Sequence, residues 1–247
     1  MSAPFDHREE PAARRAFVTT QWSVILTAQG VGADAAAALE ELCRDYWPPL
    51  FVYGRSDGLS PEDAQDAVQG FIAQLLARKD LQQVAPEKGR FRSFLLTSFK
   101  HYLISRSRSE GAGKRGGGSV VLSLDAVGLA GVDESELMDR ASPEKAFDRS
   151  WAKRLMARAM ERLAKDHGTP QQARLFAALQ PSLMEGGRVA NAAGIAADLG
   201  VTPGALAVAA TRLRRRYRWL IEDEVRRTLA DPANVEEEMR ALWSAWS

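Results

Sequence analysis

The chain of 247 residues has one cysteine, Cys43, and only three histidines, His7, His101 and His167. A lone cysteine excludes an intramolecular disulfide and a cysteine-based zinc finger, and it fits a reducing compartment. The histidines lie too far apart for zinc-ligand spacing. No apolar run approaches the ~18 residues of a membrane span. The first residues, MSAPFDHREEPAARRAF, lack the apolar core of a signal peptide, so a cytoplasmic location without a membrane partner is expected. Alternating strand patterns are also missing. So are the G-x-x-x-x-G-K-[ST], H-E-x-x-H and G-x-S-x-G motifs. Gly116-Gly117-Gly118 has neither the preceding strand nor the following helix start that a phosphate cradle needs. Neither an enzyme nor a cofactor is expected.

Net charge is almost absent: 33 Lys and Arg stand against 32 Asp and Glu, a formal +1. The charges are nevertheless segregated. Between Lys88 and Arg115 the only acid among the basic residues is Glu110, whereas Asp133 to Asp148 is acidic apart from Arg140 and Lys145. Separate basic and acidic blocks point to more than one kind of partner.

What is present is helical periodicity. Residues 1–32 read as an N-terminal tail and a short helix, Gln21 to Gln29. Residues 33–110 read as a first helical module. In it, Pro48-Pro49 is expected to bend or restart a helix that begins near Ala33. Ser60-Pro61-Glu62-Asp63 is a strong helix start, followed by Ala64, Ala67, Val68, Phe71, Ile72, Leu75 and Leu76 at helical spacing. Phe91, Phe94, Leu95, Phe99, Tyr102 and Leu103 mark another amphipathic helix, to about Arg108. Residues 111–141, glycine-rich and then acidic, read as a flexible linker. Residues 142–230 form a second module, with helix starts at Ser142-Pro143 and Thr169-Pro170. Residues 231–247 form a C-terminal extension in which Asn234 is expected to cap a short helix carrying Met239, Leu242, Trp243 and Trp246. The fold class expected is all-α, two helical modules joined by a linker.

The stretch IAADLGVTPGALAVAATRLRRRYR, Ile195 to Arg218, reads as a helix-turn-helix. Ala196 permits close approach of the helices, Gly200 makes the turn, and Val201 and Leu206 lock the pair. Thr202-Pro203 starts the second helix. Its N-terminal half, the part that reads bases in such motifs, is mostly alanine. Direct readout therefore falls on Thr211 and Arg212, with methyl contacts at residues such as Ala207. Arg214, Arg215, Arg216 and Arg218 read as phosphate contacts, one or two of them pairing instead with Glu222, Asp223 and Glu224.

Three segments in this order, SPEDAQDAVQGFIAQLLAR, GRFRSFLLTSFKHYLISRSR and the helix-turn-helix, resemble the bacterial extracytoplasmic-function type of RNA polymerase sigma factor over roughly residues 33–225. The resemblance implies that the first segment binds the clamp helices of core polymerase, through Glu62, Asp63, Asp66, Gln69 and Gln74. It implies that the second opens the minus-ten element, with Lys79, Lys88, Arg90, Arg92, Lys100, His101, Arg106 and Arg108 toward DNA, the loop near 79–88 capturing a flipped base. The helix-turn-helix would hold the minus-thirty-five element, through Thr202, Ala207, Thr211, Arg212, Arg214, Arg215 and Arg216, beside the polymerase flap. An anti-sigma factor or a Ser/Thr kinase is the usual controller in the family, and its linkers can mimic nucleic acid. Phe91, Phe94 and Phe99 stand at core spacing rather than as stacking platforms. His101 is a DNA contact or a surface histidine, and Trp151, Trp219, Trp243 and Trp246 are packing residues. One departure is Gly70, where the family carries an acid after the glutamine. It implies a weaker or differently shaped polymerase contact. Two alternatives remain: a helix-turn-helix regulator that has lost polymerase binding, and a polymerase-binding inhibitor.

Overall fold

A computed structural model describes residues 21–77, 80–85, 90–111, 142–184, 189–229 and 231–245. The N-terminal tail, Lys79, Lys88, almost all of the 111–141 linker and Trp246 lie outside them. Among the described residues every regular element is helical: α1 (Gln21–Ala28), α2 (Ala33–Ser56), α3 (Pro61–Ala77), α4 (Phe91–Gly111), α5 (Pro143–Lys165), α6 (Pro170–Leu179), α7 (Pro181–Met184), α8 (Ala192–Asp198), α9 (Pro203–Arg227) and α10 (Val235–Ser244). Short 3-10 turns precede α4 and α10.

The helix starts form where short polar side chains precede proline. The Ser60 hydroxyl accepts from the Asp63 amide at 3.0 Å, Ser142 from Lys145 at 3.3 Å, and Thr202 from Ala205 at 3.1 Å. Thr169 and Gln172 form a reciprocal capping box. Each satisfies amides that the helix itself leaves open. Asn234 precedes α10 but makes no side-chain cap, contrary to expectation. Nor does a new helix start at Pro48-Pro49: α2 runs through both prolines as one helix. Each proline removes one helical hydrogen bond. The continuation is held by burial, since Trp47, Leu50, Phe51 and Val52 are all almost fully enclosed. Burying such side chains contributes roughly 1.5–3 kcal/mol each.

Two cores result, and one helix joins them. The first surrounds α2 with Trp22 and Ile25 of α1, Phe71 of α3, Phe91, Leu95 and Phe99 of α4, and Phe147, Trp151 and Leu155 of α5. It also takes in Val225 near the end of α9 and Leu242 of α10. Tyr46 stacks on Trp151 with ring centroids 4.7 Å apart. The second core is that of the helix-turn-helix, with Ala159, Leu163, Leu179, Ala196, Leu206, Ala210, Leu213, Tyr217 and Leu220. The N-terminal half of α5 therefore packs on α2, and its C-terminal half on α9. The apolar interior does not divide at the 111–141 segment.

Charge reinforces this junction. Asp45 of α2 is only 4% exposed, and it pairs with Arg154 and Arg158 of α5. Arg158 also reaches Glu41 and Glu224, and Arg162 reaches Asp223 and Glu224 of α9. Burial pushes the Asp45 carboxyl above its ordinary value, against the pull of Arg158 and Arg154.

Gly70 acquires a physical reason here. A Cβ at this position would overlap the Tyr102 hydroxyl and approach Tyr102 Cζ to 3.3 Å. Tyr102 is itself packed against Phe71 and Phe99. The glycine thus admits the Tyr102 ring of α4 against the backbone of α3. Gly70→Ala is expected to lower unfolding free energy by about 1–3 kcal/mol, the range for overpacking. Tyr102→Phe should relieve at least half of that cost in a double-mutant cycle measured by urea unfolding. An additive cycle would remove this explanation of Gly70.

Candidate nucleic-acid interface

The helix-turn-helix is built as its residues dictate. Gly200 takes φ +65°, in the left-handed region that disfavours other residues. The Val201 amide donates back to the Ala196 carbonyl at 2.9 Å, closing the end of α8. α8 and α9 then cross at 101°. Leu206, Ala210, Leu213, Tyr217 and Leu220 bury one face of α9. Tyr217 anchors this face by donating to the Met156 carbonyl at 3.2 Å, and burial pushes its phenol up to about 12.

The opposite face is left to solvent. Ala207, Thr211, Arg212, Arg215, Arg216 and Arg218 are exposed, while Arg214 is half-buried. Two polar candidates are already engaged locally. The Thr202 hydroxyl caps α9, and the Thr211 hydroxyl donates to the Ala207 carbonyl at 2.9 Å. Arg216 pairs with Asp166 at 2.8 Å and lies over the Trp219 ring, 4.4 Å from its centroid. Trp219 is therefore a surface residue, not the packing residue expected. Asp223 and Glu224 were expected to pair with one or two of the arginines from Arg212 to Arg218; they pair instead with Arg158 and Arg162 of α5 and with Arg226 and Arg227 at the end of α9. Val208 emerges as an exposed apolar residue in the base-facing half. Its signal in the sequence was the lone branched side chain among alanines.

On α3, Glu62, Asp63 and Asp66 are exposed, and Gln69 is half-buried. These four share one face in keeping with their helical spacing. Gln74 lies apart from them. It lines a cleft between α3 and α4 with Ser98, His101, Tyr102 and Ser105. Arg106 bridges the two helices, donating to the Asp63 carbonyl oxygen and carboxylate at 3.2 and 3.3 Å.

The cations of α4 differ most from expectation. Arg92, expected on a phosphate, is only 8% exposed; it pairs with Asp148 and, at 2.7 Å, with Glu238. Arg90 reaches Glu238 at 2.9 Å and Glu237 at 3.3 Å. Lys100 donates to Glu144 at 2.5 Å and lies over the Tyr53 ring. His101 and Arg108 are exposed. Phe91 and Phe99 are buried and Phe94 packs against the same core, as their spacing implied. Sequence reasoning missed the partners Glu144, Asp148, Glu237 and Glu238. The acidic block and the Glu236–Glu238 run were visible, but their pairing spans the whole chain.

These pairs have opposite pH signatures. The hydrogen bond from Lys100 holds the Glu144 carboxyl below its ordinary 4.5. Burial pushes the Asp148 carboxyl above its ordinary 3.8, against Arg92 and Arg90. No group of three or more His, Cys, Asp or Glu among the described residues is placed to hold a metal ion. No single helix among them is long and apolar enough to cross a membrane. Set against protein-family models, curated proteins and solved structures, the chain gives no match.

Two measurements follow. Glu144, with its lowered folded value, contributes stability that is fully present above its ordinary 4.5 and is lost as pH falls through the lowered folded value. The advantage of the parent over Glu144→Gln, a few tenths of a kcal/mol for an exposed pair, should shrink in urea unfolding between pH 7 and about pH 3. Asp148, with its raised value, has the reverse sign: the parent should gain on Asp148→Asn over the same descent. Equal slopes for both variants would contradict the assignment. On α9, Arg215→Ala should weaken duplex DNA binding by a similar factor for all sequences and flatten its salt dependence by about one phosphate contact, checked by fluorescence anisotropy across salt.

Proposed function

We propose that this chain is a non-catalytic transcription initiation factor of the sigma type, acting in the cytoplasm. In this reading the Glu62, Asp63, Asp66 and Gln69 face of α3 meets the clamp helices of core RNA polymerase. The basic side of α4 engages the minus-ten element, and α8 and α9 hold the minus-thirty-five element. The observation that carries it is the helix-turn-helix: a 101° crossing with exposed Arg212 and Arg215 on the second helix. That geometry suits a helix in the major groove flanked by phosphate contacts. The acidic α3 face and the aromatic-basic α4 precede it in the order the reading requires.

The ion pairs on Arg90, Arg92 and Lys100 favour a second reading, a regulator that binds duplex DNA through the helix-turn-helix without polymerase. Run-off transcription with purified core enzyme on promoters of the source genome separates the two. The sigma reading expects transcripts above core alone and a complex with core. The regulator reading expects specific duplex binding and neither of those. Asp66→Arg reverses charge on the α3 face and should weaken core binding at least about tenfold, the scale of an interfacial charge clash. Unchanged affinity in a pull-down titration would remove α3 from the contact.

A further inference from the structure

The acids that engage Arg90, Arg92 and Lys100 all belong to the C-terminal half of the chain. Glu144 and Asp148 lie one turn apart on α5, and Glu237 and Glu238 lie in the first turn of α10. Together they occupy Lys100, Arg92 and Arg90. Glu238 is 1% exposed and receives both arginines. Burying such a pair costs desolvation of both ions, so it is a weak source of stability compared with apolar packing. Elsewhere α10 is held by ordinary means: Leu242 and Ala245 are buried, and Arg149 donates to the Ala245 carbonyl. The three cations thus meet acids where a smaller apolar contact would serve.

The chemistry of the pairing defines what competes with it. Carboxylates and phosphates both present anionic oxygens that accept from guanidinium nitrogens, and Arg90 and Arg92 each spread two nitrogens over two carboxylates. We propose that α10, with Glu144 and Asp148 of α5, is an intramolecular acidic cap that holds Arg90, Arg92 and Lys100 in place of nucleic-acid phosphates. Binding of a single strand along α4 and seating of α10 are then mutually exclusive. α10 is the moving part in this proposal: it is ten residues long, and residues 228–234, ending in a short 3-10 turn, connect it to α9. The cap rests on the reading of α4 as a nucleic-acid surface, and not on polymerase binding.

The test uses the full chain and a fluorescein-labelled single-stranded oligonucleotide of about 20 nucleotides, followed by anisotropy between about 50 and 200 mM salt. Glu237→Gln with Glu238→Gln should tighten binding at least about tenfold at the lowest salt and steepen the salt slope by about one to two contacts. Adding Arg90→Gln should abolish most of that gain. A control with the same charge change at exposed positions outside the cap, Asp34→Asn with Glu161→Gln, should gain less than about threefold. If Glu238→Gln unfolds the chain, two readouts decide instead. Glu237→Gln alone should tighten binding about threefold. Saturating oligonucleotide should speed amide exchange in residues 235–244 of the parent chain. A folded variant that binds no tighter than the control, or exchange in 235–244 that is indifferent to bound DNA, overturns the cap. Because no polymerase is present, failed transcription with an intact gain rejects the sigma reading alone; transcription without the gain rejects the cap alone.

Discussion

Asp45 lies on the buried side of α2, and two arginines of α5 close over it. This cluster sets the register on which the rest depends. Stability comes chiefly from the aromatic and aliphatic surface around it, where Trp47 and Trp151 are wholly enclosed. An apolar face alone tolerates sliding by a turn. A buried carboxylate does not, because a shift would leave a charge unpaired at a cost of about 3–5 kcal/mol. Glu144, Asp148, Trp151, Leu155, Arg158 and Arg162 follow one another at three- and four-residue steps, so they share one side of α5. Fixing Arg158 on Asp45 therefore fixes Glu144 on Lys100 and Asp148 on Arg92 at one end of α5. At the other end it fixes Arg162 on Asp223 and Glu224 of α9. The helix-turn-helix and the cover on α4 are thus two consequences of one helix register.

What the sequence made legible is what local chemistry determines. Ser60, Ser142, Thr169 and Thr202 announced their helices because a cap acts over three residues. Gly200 announced its turn because a positive φ is a property of one residue. The apolar spacing of α3 and α4 named Phe71, Phe91 and Phe99 as core. What stayed hidden depends on residues distant in the chain. Gly70 read as a defect in a contact surface until Tyr102 was seen to fill the space of its missing side chain. Pro48 and Pro49 read as a break because propensity is local, whereas the burial that overrides it comes from α5, α4 and α1. Arg92 read as a phosphate grip because its type and neighbours fit one, and Asp148 and Glu238 are far away along the chain. Charge segregation was visible from the start. That Glu144 and Asp148 of the acidic block pair with Lys100 and Arg92 of the basic one was not.

The internal neutralisation changes how the small net charge is understood. A formal +1 looks unsuited to a polyanion. The pairing removes cations from one surface while leaving others exposed, so the remaining field is uneven. Arg212, Arg215 and Arg218 on α9 are exposed, whereas Arg90, Arg92 and Lys100 are matched to carboxylates. Electrostatic attraction acts over about a Debye length, roughly 8 Å at physiological salt. Under the proposed function, an approaching duplex would meet exposed arginines on α9, whereas Arg90, Arg92 and Lys100 are already matched to carboxylates. If the chain acts as proposed, first contact would belong to the helix-turn-helix.

The same asymmetry bears on discrimination. The base-facing half of α9 offers methyl groups and Val208 but little hydrogen bonding, because Thr202 and Thr211 direct their hydroxyls to the backbone. Such a surface distinguishes thymine methyls and groove shape more than it reads individual base pairs. Arginines around it add affinity without sequence information. Under the proposed function, selectivity would have to come from elsewhere, and the α4 region carries a second group of cations, Arg90, Arg92 and Lys100. A single strand engages α4 only after displacing carboxylates that already satisfy the arginines, so weak or badly placed contacts gain nothing there. Phosphates held in register by neighbouring bases gain several contacts at once. Under the proposed cap, covering Arg90, Arg92 and Lys100 with acids would not weaken recognition; it would make recognition conditional on a strand that is already open and correctly aligned.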